Sequence, residues 1–301
     1  MSRPSHLPPV ASSLDSPSVA RVYDYCLGGT TNWAVDRSFA DRILGEFPLV
    51  RRIAAIERLY LNRVVRFLLD KGVRQFLDVG CGVPNAGATH FIIEDWVRER
   101  HKRSRVRVVY VDNDPIAVAH GEVVLDRQGN RANQAIVQAD LRAPDALWAA
   151  ALDTKLIDPA KPVALLLVAV LHIQQPDTTG RDIGASSVAR LRELLPLGSY
   201  VALSHASNTT RSSAGRRILE GLRRAYRGTG HDVTWRSRGE IESMLDGCRL
   251  VAPGWTTAVA WRPEQTGPNV PLVPLGSAAE SVLWTGVGKT TSRHYPISTN
   301  P

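Results

Sequence analysis

From residue 73 onward, short apolar runs alternate with segments of helical periodicity, and this alternation leaves few folds open. The runs are RQFLDV (74–79), VRVVYVD (106–112), QAIVQAD (134–140), VALLLVAVL (163–171) and SYVALSH (199–205). Between them stand THFIIEDWVRER, DPIAVAHGEVVLD, PDALWAAAL and SSVARLRELL; in the last, Val188, Leu191, Leu194 and Leu195 recur at helical spacing. Strands too apolar to leave one face in water, each followed by a helix, predict an α/β fold with a mostly parallel sheet covered on both sides. Pro115 suits the first turn of a helix and Gly198 a helix stop, which places the turns consistently.

Ahead of this core, residues 19–72 carry helical patterns, ADRILGEF and IERLYLNRVVRFLLDKG, expected to form a cap or lid. The head, MSRPSHLPPVASSLDSPS (1–18), lacks the apolar centre of a signal peptide and is expected to be disordered. Behind the fifth run the pattern loosens, ending in SVLWTGV (281–287); residues 73–301 are expected to form one core domain. The longest apolar run is too short to span a bilayer, and with no export signal in the head a cytoplasmic location is the expectation. Cys26, Cys81 and Cys248 are widely spaced without a C-x-x-C pair, so neither a disulfide framework nor a zinc site is indicated, and no metal is expected.

The stretch FLDVGCGVPNAG (76–87) joins the first strand to the next helix. Such a turn aims backbone N–H groups at a ligand. The dinucleotide fingerprint requires a third glycine, where this chain has Asn85 after Gly80 and Gly82. Asp78, two residues before Gly80, opposes a pyrophosphate and suits a cationic or hydroxyl-bearing group. The second strand ends in Asp112, followed by Asn113 and Asp114; an acid there is placed to accept from both ribose hydroxyls, or to cap the helix that Pro115 begins. Of the two, Asp114 is the better cap because it directly precedes the proline. The third strand ends in Asp140, which could accept from an adenine amine while the backbone of Leu141 meets the ring edge. An amino-acid end, a ribose and an adenine in series describe S-adenosylmethionine.

FLDVGCG, VVYVDNDP, QADLR and VALLLVAVLH resemble the motifs of class I S-adenosylmethionine-dependent methyltransferases. With the leader ARVYDYCLGGTTNWAVDR they resemble an actinobacterial family of such proteins known mainly as a domain of unknown function, over roughly residues 19–290. The resemblance implies a Rossmann-like, doubly wound, seven-stranded sheet with an N-terminal helical cap. It implies that Asp78, Gly80 and Gly82 line the methionine end, that Asp112 with Asn113 holds the ribose, and that Asp140 and Leu141 hold the adenine.

Methyl transfer is an in-line displacement, so an enzyme of this kind positions its reactants and takes a proton when the acceptor carries one. His172 and His205 follow the fourth and fifth runs, where such a base belongs; the alternative is a histidine held by backbone hydrogen bonds at the sheet edge. In the leader, Tyr23, Tyr25, Gly28, Gly29 and Asn32 form either a lid shaping the acceptor pocket or ordinary helix packing. The net charge is +8, but 32 of the 37 basic residues are arginine, and the densest cluster, RERHKRSRVR (98–107), lies between a helix and a strand. The fourth run ends in AVLHIQ rather than the Asn/Asp-Pro-Pro-aromatic motif of many base methylases. A small-molecule acceptor is therefore favoured over RNA, with a non-catalytic cofactor-binding protein as the other alternative; oligomeric state is not legible.

Overall fold

The computed structural model describes residues 15–291 except 86, 102–103, 129, 269 and 271–281. Residues 1–14 of the head and Ser281 lie outside the described residues. Among the described residues, three helices come first: α1 (Val19–Cys26), α2 (Ala34–Glu46) and α3 (Val50–Asp70). Strand and helix then alternate through β1 (Gln75–Val79), α4 (Thr89–Glu99), β2 (Arg107–Asp112), α5 (Pro115–Gln128), β3 (Gln134–Gln138) and α6 (Pro144–Asp153). The series continues with β4 (Ala164–Leu167), α7 (Gly184–Leu194), β5 (Tyr200–Ala206), α8 (Ser213–Tyr226) and α9 (Arg238–Ser243). It closes with β6 (Cys248–Leu250), β7 (Thr256–Thr257) and β8 (Leu283–Thr290).

Among the described residues the sheet has eight strands in the order β3-β2-β1-β4-β5-β8-β6, with β7 pairing on β8. β1 to β5 pair in parallel, whereas β8 runs antiparallel to β5, β6 and β7. The expected doubly wound α/β sheet is present. It exceeds the expected seven strands by one because β6 and β7, of three and two residues, form separate short ladders on β8.

The two faces follow from the period of two along each strand. Phe76, Val108, Tyr110, Ala164, Leu166 and Ala202 pack toward α3, α4 and α5, while Leu77, Val79, Val109, Val111, Leu165 and Leu203 pack toward α6, α7 and α9. Burial of one such large side chain contributes roughly 1.5–3 kcal/mol, which is why these strands carry no polar alternation. α3 belongs to this core and also packs on α1 and α2. Tyr60, Val64, Val65 and Leu68 are fully buried in the layer on the sheet, and Ala54 packs in a separate cluster with Val22, Phe39 and Ile43 of α1 and α2.

β4 is shorter than the apolar run that encodes it. Strand pairing stops at Leu167, and Ala169 takes a left-handed backbone (φ 62°) with its N–H on the Ser204 hydroxyl at 3.0 Å. The rest of VALLLVAVL therefore leaves the sheet, and this departure carries His172 over the carboxyl edge. Among the described residues no helix is long and apolar enough to cross a membrane.

Candidate functional site

β1 has β2 on one side and β4 on the other, so the chain order reverses there and a crevice opens at the carboxyl ends of the strands. A cavity of about 520 Å³ occupies it. Asp78, Gly80, Gly82, Asp112, Asn113 and Leu141 contribute to its wall from the sheet. Tyr23, Asp24, Glu57 and Arg58 contribute from α1 and α3, and Val170 and His172 from the loop after β4.

The glycine turn is shaped by its backbone. Gly80 and Gly82 take φ of 70° and 61°, a region costly for any residue with a Cβ. A Cβ on Gly80 would strike Val170, and one on Gly82 would lie 3.3 Å from the Ala20 Cβ of α1. The Gly82 N–H donates to Asp112 at 2.8 Å, tying the turn to the end of β2. Asp112 also accepts from the Asp114 N–H at 3.0 Å, and Asp114 itself caps α5 by accepting from the Ile116 N–H at 2.9 Å. Ser18 donates its hydroxyl to Asp114 at 3.1 Å, so residues just ahead of α1 reach the same corner.

Two acids in this wall are electrostatically poised. Burial raises Asp78 to about 6 although the Thr89 hydroxyl donates to it at 2.7 Å. Burial likewise raises Asp112 to about 6 against the two backbone bonds. Neither forms an ion pair among the described residues, so each retains lone pairs that a buried carboxylate requires donors to satisfy. Hydroxyls and an ammonium group supply such donors and a pyrophosphate does not. On this ground the residues present fit S-adenosylmethionine.

Other expected positions stand differently. Leu141 reaches the wall, but the Asp140 carboxylate closes on Arg142, with an Nη2–Oδ2 distance of 2.6 Å, and lies outside it. His205 is fully buried outside the wall, with Nδ1 2.8 Å from the Ala206 carbonyl oxygen and Nε2 against the Arg236 guanidinium. Both ring nitrogens are occupied, so the expectation of a catalytic base at His205 is withdrawn. His172 contrasts with it. Its main-chain oxygen accepts from the Thr234 N–H at 2.9 Å, while its buried Nδ1 has no hydrogen-bond partner. Burial first, then the nearby Arg236 charge, lowers His172 to about 4, so the ring is neutral at physiological pH.

In the leader, only Tyr23 of the five named residues reaches the wall, with its hydroxyl donating to the Ala54 carbonyl at 3.2 Å. Tyr25 turns to Asp41 at 2.9 Å. Gly28, Gly29 and Asn32 fold the chain around Asp24, which is 4% exposed. The Gly29 N–H donates to the Asp24 carbonyl at 2.9 Å, and a Cβ on Gly29 would collide with the Asp24 carboxylate. That carboxylate accepts from the Asn32 amide and the Thr31 N–H, each at 2.8 Å, and from the Asn85 amide of the glycine loop. Sequence reasoning missed Asp24, Glu57 and Arg58. The signal for the latter two was present: a charged pair inside the apolar stretch IAAIERLYL.

Glu57 is 2% exposed and accepts from the Ser204 hydroxyl at 3.0 Å, the same hydroxyl that receives the Ala169 N–H. Burial raises it to about 8, so it is protonated at neutral pH. Among the described residues no group of His, Cys, Asp and Glu could hold a metal ion.

The chain is similar over its length to two solved structures from actinobacteria. One is a candidate methyltransferase from Thermobifida fusca, 30% identical, covering 93% of this chain and 97% of that one with a TM-score of 0.77. The other is a DUF574 family protein from Streptomyces avermitilis, 29% identical, covering 91% and 98% with a TM-score of 0.74. The magnesium protoporphyrin IX methyltransferase of Synechocystis, solved with bound SAH, is 17% identical and covers 90% and 98% at a TM-score of 0.50, a likeness of fold. No curated protein matches the chain. The S-adenosyl methyltransferase family model spans residues 9–291, nearly the whole chain around this crevice. This protein belongs to that S-adenosyl methyltransferase family and is an S-adenosylmethionine-dependent methyltransferase.

Proposed function

We propose that the protein methylates a small molecule with an apolar body, held beneath α1–α3 and α8. The observation that carries this reading is the apolar share of the cavity wall, which includes Val22, Ile43, Val50, Ile53, Leu219 and Leu222. A cavity of about 520 Å³, apolar with a few converging polar groups, has the size and character of small-molecule sites. The arginine-rich segment points away from a nucleic-acid acceptor. Arg98 lies in the last turn of α4 and Arg107 begins β2, at the sheet edge opposite the carboxyl ends. Arg98 pairs with Asp95 at 2.7 Å and Arg100 with Asp70 at 3.2 Å.

In this reading Asp78 and the Gly80–Gly82 turn hold the methionine end, Asp112 and Asn113 the ribose, and Leu141 the adenine edge. The cofactor supplies a sulfonium methyl group, whose transfer leaves the S–C electron pair on sulfur. The protein holds the acceptor in line, excludes water with the lid, and offers the neutral His172 ring to take a proton.

The test incubates the protein with methyl-labelled S-adenosylmethionine and either a metabolite extract or total RNA from the source organism. Label in an organic-extractable small molecule is the expected result. Label in RNA alone would overturn the reading.

A further inference from the structure

Arg58 has no role in the reading above, and its surroundings are unusual for a cation. It lies in the cavity wall on α3, and its Nε is buried without a hydrogen-bond partner. Among the described residues it forms no ion pair with a carboxylate. Its close neighbour is Tyr23, whose phenol it approaches and over whose ring the guanidinium carbon stands 5.4 Å from the centroid. A side chain held by an aromatic face keeps its hydrogen-bonding fork available. The stem runs beside the glycine loop, since a Cβ on Gly87 would lie 4.0 Å from the Arg58 Cδ. From there the charge acts on Asp78, Asp24 and Cys81, the residues around the methionine end.

We propose that Arg58 is the anchor for the α-carboxylate of the cofactor's methionine end, set opposite the acids that receive its ammonium group. One end of the cavity thus offers a guanidinium and buried carboxylates together, the complement of a zwitterionic α-amino acid. A guanidinium matches a carboxylate with two parallel N–H···O bonds. The acids alone would repel that carboxylate, so a cation is required in the same corner if the amino-acid end is to enter. Because Arg58 sits on α3 and rests on Tyr23 of α1, carboxylate binding also links the cofactor to the two cap helices.

Calorimetry with two ligands tests this: S-adenosylhomocysteine, which has the amino-acid end, and 5′-methylthioadenosine, which lacks it. Arg58→Ala should weaken S-adenosylhomocysteine binding by about 10- to 100-fold. It should leave methylthioadenosine binding unchanged. Arg58→Lys keeps the charge without the fork and should fall between wild type and Arg58→Ala. The second ligand requires the same folded pocket, so a variant that merely disturbs the fold loses both. Equal losses for the two ligands, or none, would overturn the assignment. Wild-type protein that binds neither ligand would overturn the cofactor site as a whole, a failure distinct from that of Arg58.

Discussion

The Asn85 side-chain amide donates to the Asp24 carboxylate, joining the glycine loop after β1 to helix α1 across 61 residues of sequence. Asn85 occupies the position of the third glycine in a dinucleotide fingerprint, where glycine lets helix and strand approach. Here the position carries a donor that fastens α1 to the glycine loop instead. Asp24 is costly to bury, since desolvation raises its pKa, and the Asn32, Thr31 and Asn85 donors offset that cost.

Asp24→Ala should therefore release α1 from the loop more than it unfolds the core. Hydrogen exchange over residues 19–33 should quicken while β1, β2 and β4 stay protected, and S-adenosylhomocysteine affinity should drop. Unchanged exchange in α1 would show that the Asp24–Asn85 contact does not hold the helix.

The strand alternation was legible because each strand is buried on both faces, and continuous apolar runs mark that state. The end of β4 was not legible. Val168–Leu171 is as apolar as Ala164–Leu167, and only the left-handed turn at Ala169, received by Ser204 thirty-five residues away, ends the strand. The acids at the strand ends were visible as residues, but the turning of Asp140 onto Arg142 depends on a local ion pair that alternation does not encode. His172 and His205 look alike in sequence. Arg236, contributed from beyond α8, distinguishes them by occupying the His205 ring.

Asp112 and Asp114 should separate by readout. Asp112→Ala should weaken S-adenosylhomocysteine binding by roughly 1–3 kcal/mol with the fold intact. Asp114→Ala should cost about 0.5–2 kcal/mol of stability, as loss of a helix cap does. In the wild type, affinity should also fall as pH drops below about 6, where Asp112 and Asp78 protonate. Hydroxyl and ammonium donors favour the ionised acids, so protons compete with the ligand. Titrations at pH 5 and pH 7.5 that gave equal affinity would contradict this.

Glu57 should reveal itself in alkaline stability. Its folded pKa, about 8, lies above its ordinary value of 4.5, so the folded state holds the proton more tightly. That contribution is fully present below the ordinary value and is lost as pH rises through 8. Glu57→Gln keeps an oxygen for the Ser204 hydroxyl and cannot ionise. The variant should melt at a higher temperature than wild type at pH 9 and near the wild-type temperature at pH 5. Thermal melts giving the same difference at both values would remove the buried charge as the cause.

His172 should act on turnover rather than on cofactor binding. Its loop is already fixed by the Thr234 N–H on its carbonyl, and the imidazole is left without a hydrogen-bond partner at the buried Nδ1. The ring is thus not required to hold the backbone. With an acceptor identified, His172→Ala should leave S-adenosylhomocysteine affinity nearly unchanged and lower kcat by about 10²–10⁴-fold, the usual contribution of a positioned base. His172→Gln should recover little, because an amide can orient a hydroxyl but cannot take its proton. The pH profile gives a second readout. A base held near 4 by burial is already neutral at pH 6, so kcat at saturating cofactor should show no histidine-like inflection between pH 6 and 7 that disappears in the Ala variant. Full activity in both variants would remove His172 from the reaction and point to an acceptor that arrives already deprotonated.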